Sequence, residues 1–399
     1  MNIHIITSSY PQSPEDPSGT AGLFVRQFAL ELAALGHKVV IQPAARKEEY
    51  LADPGILIIP APWEGGDQEL ASMALMSPLN WWVFLRFFVS GIRNTLEINR
   101  KYAIDRVLCM WAVPSGIFGL AGKRKTAIPY DIWALGSDIW KIRKIPFFGK
   151  AVLKKLIKNA DRVFADGIQL CQEVKDLTSV SCEFLPSSRK LPPPKEKLFL
   201  PDSPQFTHFL FVGRYHINKG PDLLIKAVAS LPPNIRESLR VHMFGLGPME
   251  GELKNMISGM RLEKYISLNG AIQAQEFSDY LKSVSFLIIP SRIESIPVVF
   301  SDSLQIGTPV VSMPAGDLGR LISESGCGII AKEVSAEALA RAIEEAAKKG
   351  RDFFKENTAK AYEKFEIKRA DKLVYVSLGC YYNITPWFII LDINRFNLV

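Results

Sequence analysis

The stretch RIESIPVVFSDSLQIGTPVV, residues 292–311, follows the apolar run VSFLIIP of residues 284–290, and together they decide the fold class. Pro297 suits the first turn of a helix, while Gly307 and Pro309 are typical of a helix end. An apolar strand, a loop, a short helix and a second strand in this order predict one βαβ unit of a parallel sheet.

Two carboxylates, Glu294 and Asp302, lie within this apolar stretch. An acid in such a place needs a partner, because burial of an unpaired charge is unfavourable. Glu294 precedes the predicted helix, where it can accept hydrogen bonds from sugar hydroxyls beside helix-start amides that bind diphosphate oxygens. This combination predicts a nucleotide-sugar pocket. The alternative is that Glu294 is an ordinary acid at a helix start and that Asp302 pairs with a nearby base.

The same alternation of strand-length apolar runs and amphipathic helices extends through the chain. Residues 3–7, 22–36 and 37–44 predict strand, helix and strand, and the alternation restarts at 207–214 after a proline-rich basic stretch. We therefore predict an α/β protein with two Rossmann-like doubly wound domains that face a cleft. The predicted parts are a first domain of residues 1–187, a linker of 188–204, a second domain of 205–378, and an apolar tail of 379–399 that is a candidate to pack back on the first domain.

Composition limits the class of protein and its partners. The chain has 399 residues, 48% hydrophobic and 22% charged, which fits a globular protein of two domains. A formal net charge of +7 favours anionic partners such as nucleotide phosphates, nucleic acid or anionic lipid. Five scattered cysteines without a CxxC pair argue against a disulfide framework or a zinc site and indicate a reducing compartment.

The chain has no sequence signal for secretion or for a membrane span. The first residues, MNIHIITSSYP, lack the basic region and apolar core of a signal peptide. NWWVFLRFFVSGI, residues 80–92, is interrupted by Arg86 and is shorter than the roughly 20 residues that a span requires. We therefore expect a cytoplasmic protein.

A basic loop, FVGRYHINKG, is the next candidate for chemistry. Gly213, Arg214 and Lys219 follow a predicted strand, and ligands of parallel sheets bind at the carboxyl ends of strands. The glycine lets the backbone approach a phosphate, and the two cations can bind its oxygens. The alternative is a solvated basic loop. FGLGPMEGEL, residues 244–253, matches GxGxxG only in part and predicts a strand-to-helix turn at Gly245 on the same edge.

The order of these segments resembles the retaining glycosyltransferases of GT-B fold in the large glycogen-synthase-like family four. GR-x4-KG, GxGP, PSRxE with an acid eight positions after the Glu, and GTPVV occur in that order. The first domain resembles the family more loosely, through SGTAGLFV (18–25), GHKV (36–39), AVPSG (112–116) and GSDIW (136–140). The resemblance covers residues 1–378.

The resemblance implies transfer of a sugar from a nucleoside diphosphate sugar to an acceptor hydroxyl, with retention at the anomeric carbon and usually without a metal. It implies that Arg214 and Lys219 bind the diphosphate, that Glu294 holds the donor sugar, and that Asp302 holds the ribose. Arg214, Lys219 and Glu294 are thus the expected catalytic residues, and Asp138 is an acceptor-side candidate. The further implied donor-binding positions are Gly19, Gly22, Gly213, Gly245, Ser295, Ile296, Pro297 and Val298.

No DxD sequence occurs in the chain, which is consistent with metal-free chemistry, and we expect no cofactor besides the nucleotide sugar as co-substrate. Three positions depart from the family. Asp302 stands where Glu is usual, Leu135 where many members have His, and Thr20 where a second loop glycine is common. Leu135 and Asp302 keep open a non-catalytic nucleotide-sugar or carbohydrate binder. A nicotinamide-dependent oxidoreductase is disfavoured, because the first βα turn lacks GxGxxG.

A basic stretch, residues 139–160, has seven Lys and Arg residues and no acid, with Phe147 and Phe148 among them. Such a face can lie on anionic lipid at the inner face of a membrane. The alternative is a helix whose lysines are simply solvated. We expect a nucleotide-sugar donor, a glycan, lipid-linked or small-molecule acceptor and an anionic membrane surface as partners. No nucleic-acid-binding module is recognisable, so no nucleic acid is expected.

Overall fold

The computed structural model describes residues 1–11, 22–45, 53–62, 78–195, 200, 205–363 and 365. Within these residues the chain forms two α/β domains, each built on a parallel sheet. The predicted tail of 379–399, like Gly19 and Thr20, lies outside the described residues.

The first sheet has the strand order β3-β2-β1-β5-β6-β7-β8, with β4 also paired to β2. Its strands are β1 (Asn2–Thr7), β2 (Lys38–Ala45), β3 (Ile56–Ile58), β4 (Ala61–Pro62), β5 (Arg106–Met110), β6 (Tyr130–Ala134), β7 (Arg162–Ala165) and β8 (Glu183–Phe184). Its helices are α1 (Leu23–Ala34), α2 (Pro78–Lys101), α3 (Ser115–Thr126), α4 (Ser137–Ile142), α5 (Gly149–Asn159) and α6 (Ile168–Thr178).

Helices cover both faces of this sheet, and successive strand residues point to opposite faces, so both sets of side chains are buried. Trp133 packs with Phe28 of α1 on one face, and its neighbour Ile132 lies in the core under α3 and α5 on the other. Strands buried on both faces have the near-continuous apolar sequences that predicted a parallel sheet.

The second sheet has the order β11-β10-β9-β12-β13-β14. Its strands are β9 (Thr207–Val212), β10 (Leu239–Phe244), β11 (Ile266–Asn269), β12 (Phe286–Ile289), β13 (Val310–Ser312) and β14 (Gly328–Ile330). Its helices are α7 (Pro221–Ser230), α8 (Pro233–Glu237), α9 (Glu250–Gly259), α10 (Ala274–Ser283), α11 (Val298–Ile306), α12 (Leu318–Ser325), α13 (Ala336–Lys349) and α14 (Lys355–Tyr362).

The opening stretch of sequence forms the βαβ unit β12-α11-β13, with Pro297 at the N-cap of α11 and Gly307 in left-handed conformation at its end. β12 pairs with β13 in parallel, with Ile288 opposite Val311. The predicted fold class, α/β with two doubly wound domains, is therefore confirmed.

The stretch predicted as a linker packs against the second domain wherever it is described. Leu191 and Leu200 are buried in that domain's core. The backbone N–H of Leu191 donates to Gln305 Oε1 at 3.0 Å, and Ser278 Oγ donates to the carbonyl of Pro192 at 2.6 Å. Apolar contacts and hydrogen bonds therefore fix this segment to the surface of the second domain.

The apolar segment 80–92 lies within α2, a helix of 24 residues. Among the described residues, no helix combines the length and the apolar character that a membrane crossing requires.

Candidate active site

Three neighbouring strands of the second sheet bring the predicted donor-binding segments to one edge. Gly213 and Arg214 follow β9, Gly245 follows β10, and the loop that holds Glu294 follows β12. A Cβ on Gly245 would lie 2.0 Å from the carbonyl oxygen of Gly213, so only glycine allows the two strand ends to approach this closely. Arg214 is exposed at this edge.

Lys219 and Glu294 form an ion pair at the same edge. Ser291 Oγ donates a second hydrogen bond to Glu294 Oε1 at 2.9 Å, which fixes the carboxylate. The lysine side chain is about one third exposed and its ammonium carries three N–H donors. Lys219 can therefore bind an anion while it remains beside Glu294.

Backbone geometry holds the two loops together. Gly220 has φ +67°, and a Cβ there would lie 1.9 Å from the carbonyl oxygen of Pro290. Gly316 approaches the carbonyl of Glu294 in the same way, with φ +56°. These close contacts explain why glycine follows the cation at position 220 and why glycine at position 316 packs against the backbone of the acid.

A second ion pair in this region was missed by the sequence reasoning. Arg292 donates to both carboxylate oxygens of Asp222, at 2.7 and 2.6 Å, and its backbone N–H donates to the carbonyl of Asn218 at 2.8 Å. Although burial opposes it, these hydrogen bonds hold the pKa of Asp222 below its usual value. The arginine of PSRxE, 70 residues from its partner, was the available sequence signal.

The residues at the start of α11 use their side chains for packing. Ile296 is buried in the core of the second domain, and Val298 packs against a core cluster of the first domain. Their contribution to a ligand would come from the backbone, because the first amides of a helix have no intrahelical acceptor. Ser295, also buried, lies beside Asp166 of the first domain.

Asp302, the predicted ribose ligand, pairs with a base of the chain itself. It is fully buried, and both its oxygens accept hydrogen bonds from Arg189 Nε, at 3.1 and 3.0 Å, with a third from Nη2 at 2.7 Å. Burial raises the pKa of Asp302, and the Arg189 guanidinium opposes the rise. Its carboxylate thus has the alternative role of a partner to a base, and the ribose role stays a prediction.

Asp138, the acceptor-side candidate, also binds backbone groups. Its Oδ2 accepts from the N–H of Ala112 at 2.5 Å and its Oδ1 from the N–H of Leu135 at 3.2 Å. Burial raises its pKa to about 6 against the effect of these hydrogen bonds. The buried carboxylate thus joins the loops after β5 and β6, and its acceptor-side role stays a prediction.

Gly22 precedes α1 and packs against the first βα loop. A Cβ on Gly22 would lie 2.8 Å from the Cα of Tyr10, so the described contact of this glycine is with the chain itself. Leu135, where a histidine is common in the resembled family, is partly buried against the core around Trp133.

The two domains touch at the carboxyl ends of both sheets. Gln169 donates its backbone N–H at the start of α6 to Asp317 of the second domain, at 3.1 Å. A Cβ on the neighbouring Gly167 would lie 2.2 Å from Ser295 Oγ. Glu294 of the ion pair is therefore adjacent in sequence to Ser295, which contacts the first domain directly.

Comparison with known proteins identifies the second domain. Residues 196–364 match the family model of glycosyl transferases group 1. An uncharacterized glycosyltransferase of Methanocaldococcus jannaschii is 24% identical over 253 residues, 62% of this chain and 67% of that protein. The D-inositol 3-phosphate glycosyltransferase of an Arthrobacter species is 30% identical over 170 residues, 41% of this chain and 38% of that protein. The match thus spans about two thirds of the first relative and less than two fifths of the second.

Solved structures show the fold of the whole chain. Sucrose-phosphate synthase from Thermosynechococcus elongatus superposes with a TM-score of 0.74 at 17% identity, over 95% of this chain and 99% of that one. Anabaena HepE in complex with UDP and glucose superposes with a TM-score of 0.70 at 14% identity, over 96% of this chain and 100% of that one. Residues 196–364, in the second domain, therefore match the glycosyl transferases group 1 family, and the chain has the GT-B fold.

Proposed function

We propose that this protein transfers a glycosyl group from a nucleoside diphosphate sugar to an acceptor hydroxyl, with retention at the anomeric carbon and without a metal ion. The observation that carries the proposal is the Lys219–Glu294 ion pair at the carboxyl edge of the second sheet. It places a cation for a phosphate directly beside an acid for sugar hydroxyls. HepE was solved in complex with UDP and glucose, a nucleoside diphosphate and a sugar, which are the two parts of the donor proposed here.

The diphosphate would bind to three sources of positive charge at this edge. Arg214 supplies a planar guanidinium, Lys219 an ammonium, and the start of α11 its unpaired backbone N–H groups around Val298. Gly213 and Gly245 leave space there, because neither has a side chain at the strand ends. Fixed charges of this kind stabilise the negative charge that develops on a departing diphosphate.

Glu294 would hold hydroxyls of the transferred sugar. Its carboxylate is fixed by Lys219 and Ser291 before any ligand binds, so little ordering is needed when the sugar arrives. Asp302 has no part in this proposal, since Arg189 uses both of its oxygens.

The reaction would then proceed on one face of the sugar ring. The acceptor oxygen forms a bond to the anomeric carbon as the bond from that carbon to the phosphate oxygen breaks. The acceptor proton passes to the departing phosphate oxygen, and the diphosphate leaves with the bonding electron pair. Positioning and charge stabilisation supply the rate enhancement, so no second carboxylate is needed as a nucleophile, in contrast to retaining glycosidases.

We further propose that the first domain docks on an anionic membrane surface, which suits a lipid-linked acceptor. Phe147 and Phe148, between α4 and α5, are exposed, as are Trp82 and Leu85 of α2. α2 packs on α3 and α3 packs on α5, so these apolar side chains belong to one helix layer. α5, which directly follows Phe148, carries four exposed lysines. Exposed aromatic residues beside lysines are the composition of an interfacial membrane contact.

A melting-temperature screen of the purified protein with UDP-, GDP- and ADP-sugars tests the donor proposal. A ligand that binds only the folded state raises the melting temperature, and 100-fold saturation adds about 2.7 kcal/mol. Transfer to a panel of acceptors follows with the donor that binds. Binding without turnover would favour the non-catalytic alternative, and no binding of any nucleoside diphosphate or its sugar would refute the proposal.

A further inference from the structure

Asp166 of the first domain and Ser295 of the second form a buried polar contact that the proposed mechanism does not use. Asp166 follows β7, at the carboxyl end of the first sheet, and is 6% exposed, while Ser295 is 7% exposed. Across the described chain, neither Asp166 Oδ1 nor Ser295 Oγ has a well-aligned hydrogen-bond partner. Leaving such atoms unpaired in a protein interior is unfavourable, and a polar ligand would relieve it.

The surrounding carboxylates differ from Asp166 in their partners. Asp138 accepts from two backbone N–H groups, and Glu294 accepts from Lys219 and Ser291. Burial raises the pKa of Asp166 to about 8, the nearby Ser295 hydroxyl offsets this only in part, and the charges of Asp138 and Glu294 add to the rise. Asp166 is therefore the acid of this group that retains its proton at neutral pH.

A protonated carboxyl has the hydrogen-bonding capacity that a sugar hydroxyl needs. It offers one O–H donor and one carbonyl acceptor, and Ser295 offers a hydroxyl that can do either. Being neutral, Asp166 also adds no negative charge beside a bound diphosphate. An ionised acid at the same place would repel the phosphates that Lys219 attracts.

We propose that Asp166 and Ser295 together bind a hydroxyl of a sugar at the transfer point, and that Asp166 thereby determines which sugar is accepted. The inference rests on the proposed function. Ser295 directly follows Glu294, the acid assigned to the transferred sugar, so the donor sugar is the nearer of the two sources of this hydroxyl. The acceptor is the other source.

The test uses melting temperatures and titrations of the unaltered protein and four variants with named probes. The probes are UDP, GDP and ADP alone, then UDP-glucose, GDP-mannose and ADP-glucose, then each nucleoside diphosphate with free glucose or mannose. The variants are Asp166→Leu, which removes the hydrogen bonds and keeps the branched shape, Asp166→Asn, which keeps a donor and an acceptor, and Ser295→Ala. Asp131→Asn is the control, since Asp131 is a buried acid near the start of β6, at the edge of the first sheet opposite to that of Asp166.

We expect Asp166→Leu and Ser295→Ala to bind nucleoside diphosphate alone as the unaltered protein does, and to lose about tenfold in the added affinity from the sugar. Asp166→Asn should restore most of it, which a merely structural role would not predict. A loss with nucleotide sugar assigns the hydroxyl to the donor, and a loss only with free sugar assigns it to the acceptor. Either result supports the inference.

Equal sugar increments in all variants would overturn this inference while leaving the proposed function intact. If Asp166→Leu does not fold, Ser295→Ala carries the same comparison from the other domain. Failure of the unaltered protein to bind any nucleoside diphosphate is a different result, which removes the proposed function and this inference with it.

Discussion

The carboxylate of Asp317 in the second domain accepts a hydrogen bond at 3.1 Å from the backbone N–H of Gln169 in the first. It thereby binds the start of α6, where the amides have no intrahelical acceptor. Burial raises the pKa of Asp317, and these backbone N–H groups oppose the rise. The two domains are thus joined by a polar contact beside the candidate active site, and this contact is sensitive to very small changes of shape.

Gly167→Ala should disturb this contact without damaging either core. The added Cβ would lie 2.2 Å from Ser295 Oγ and 2.7 Å from Asp317 Oδ2, so these two side chains must move or the domains must separate locally. We expect transfer activity to fall by about 10- to 100-fold, because small misplacements of reacting groups are costly.

Small-angle scattering and activity measurements check this prediction. Gly251→Ala is the matched control, because a Cβ on Gly251 meets no atom within 4 Å. Equal activity and equal scattering curves for the two variants would contradict the importance of the contact.

Lys219→Ala and Arg214→Ala should each remove most transfer while leaving the fold intact. The loss of one fixed donor to a developing charge lowers kcat by about 10²- to 10³-fold. Lys254→Ala is the matched control, since Lys254 forms an exposed ion pair with Glu250 in the same domain. Steady-state kinetics and melting temperatures give the answer, and unchanged turnover in both variants would refute the phosphate role.

Asp302→Glu should destabilise the protein, although Glu is usual at this position in the resembled family. An added methylene in a fully buried site costs about 1–3 kcal/mol. Asp302→Ala leaves the Arg189 guanidinium unmatched, and Arg189→Ala leaves the buried Asp302 carboxylate unpaired. Each variant should therefore lose about 3–5 kcal/mol of stability.

Urea denaturation of the two single variants and the double variant measures this coupling. In the double variant the loss should be clearly smaller than the sum of the single losses. Affinity for nucleoside diphosphate should change less than threefold in Asp302→Asn. A large loss of nucleotide affinity in that variant would restore Asp302 as a ribose ligand.

The fold class was predictable because its signal is local. Apolar runs such as LIIP and PVVSM are short, and helices with glycine or proline at their ends separate them, so strand and helix follow from neighbouring residues alone. β6 (Tyr130–Ala134) was missed because Asp131 interrupts its apolar run. That acid is acceptable in a buried strand only because Arg106 of β5 donates to it at 2.8 Å, and a sequence pattern does not reveal this pairing.

The candidate site was predictable in part for the same reason. Lys219 and Glu294 were expected near one another because both follow strands of one sheet edge, and the structure pairs them. Asp302 and Arg189 are 113 residues apart, and the segment that carries Arg189 lacked any periodic signal for where it packs. The contact of Asp166 with Ser295 depends on how two domains meet. No local pattern encodes that arrangement.

Asp166→Asn should change how stability depends on pH. The folded-state pKa of Asp166 is raised from 3.8 to about 8. Between these values the native state therefore binds a proton that the unfolded state has lost, and the free energy of unfolding falls as pH rises toward 8. Asparagine cannot titrate, so relative to the variant the unaltered protein should lose on the order of 2–4 kcal/mol from pH 5 to 8.

Chemical denaturation at pH 5, 6, 7 and 8 measures this difference. Asp131→Asn is the comparison, because burial raises the pKa of Asp131 only to about 6, so its effect should end near pH 6. Parallel curves for the unaltered protein and Asp166→Asn would show that Asp166 is not protonated in the native state.

The double change Phe147→Ser with Phe148→Ser should reduce binding to anionic vesicles. Both rings are exposed beside the lysines of α5, and burial of each ring in a membrane contributes about 1.5–3 kcal/mol. We expect the partition coefficient on vesicles of phosphatidylcholine with 30% phosphatidylglycerol to fall by about tenfold or more. Cosedimentation measures this partition coefficient, and binding of the unaltered protein should weaken as salt rises.

Phe353→Ser is the matched control, since Phe353 is an exposed ring of the second domain beside Lys349. If the double variant binds anionic vesicles as well as the unaltered protein does, or if the unaltered protein binds neutral vesicles equally well, the docking face is elsewhere.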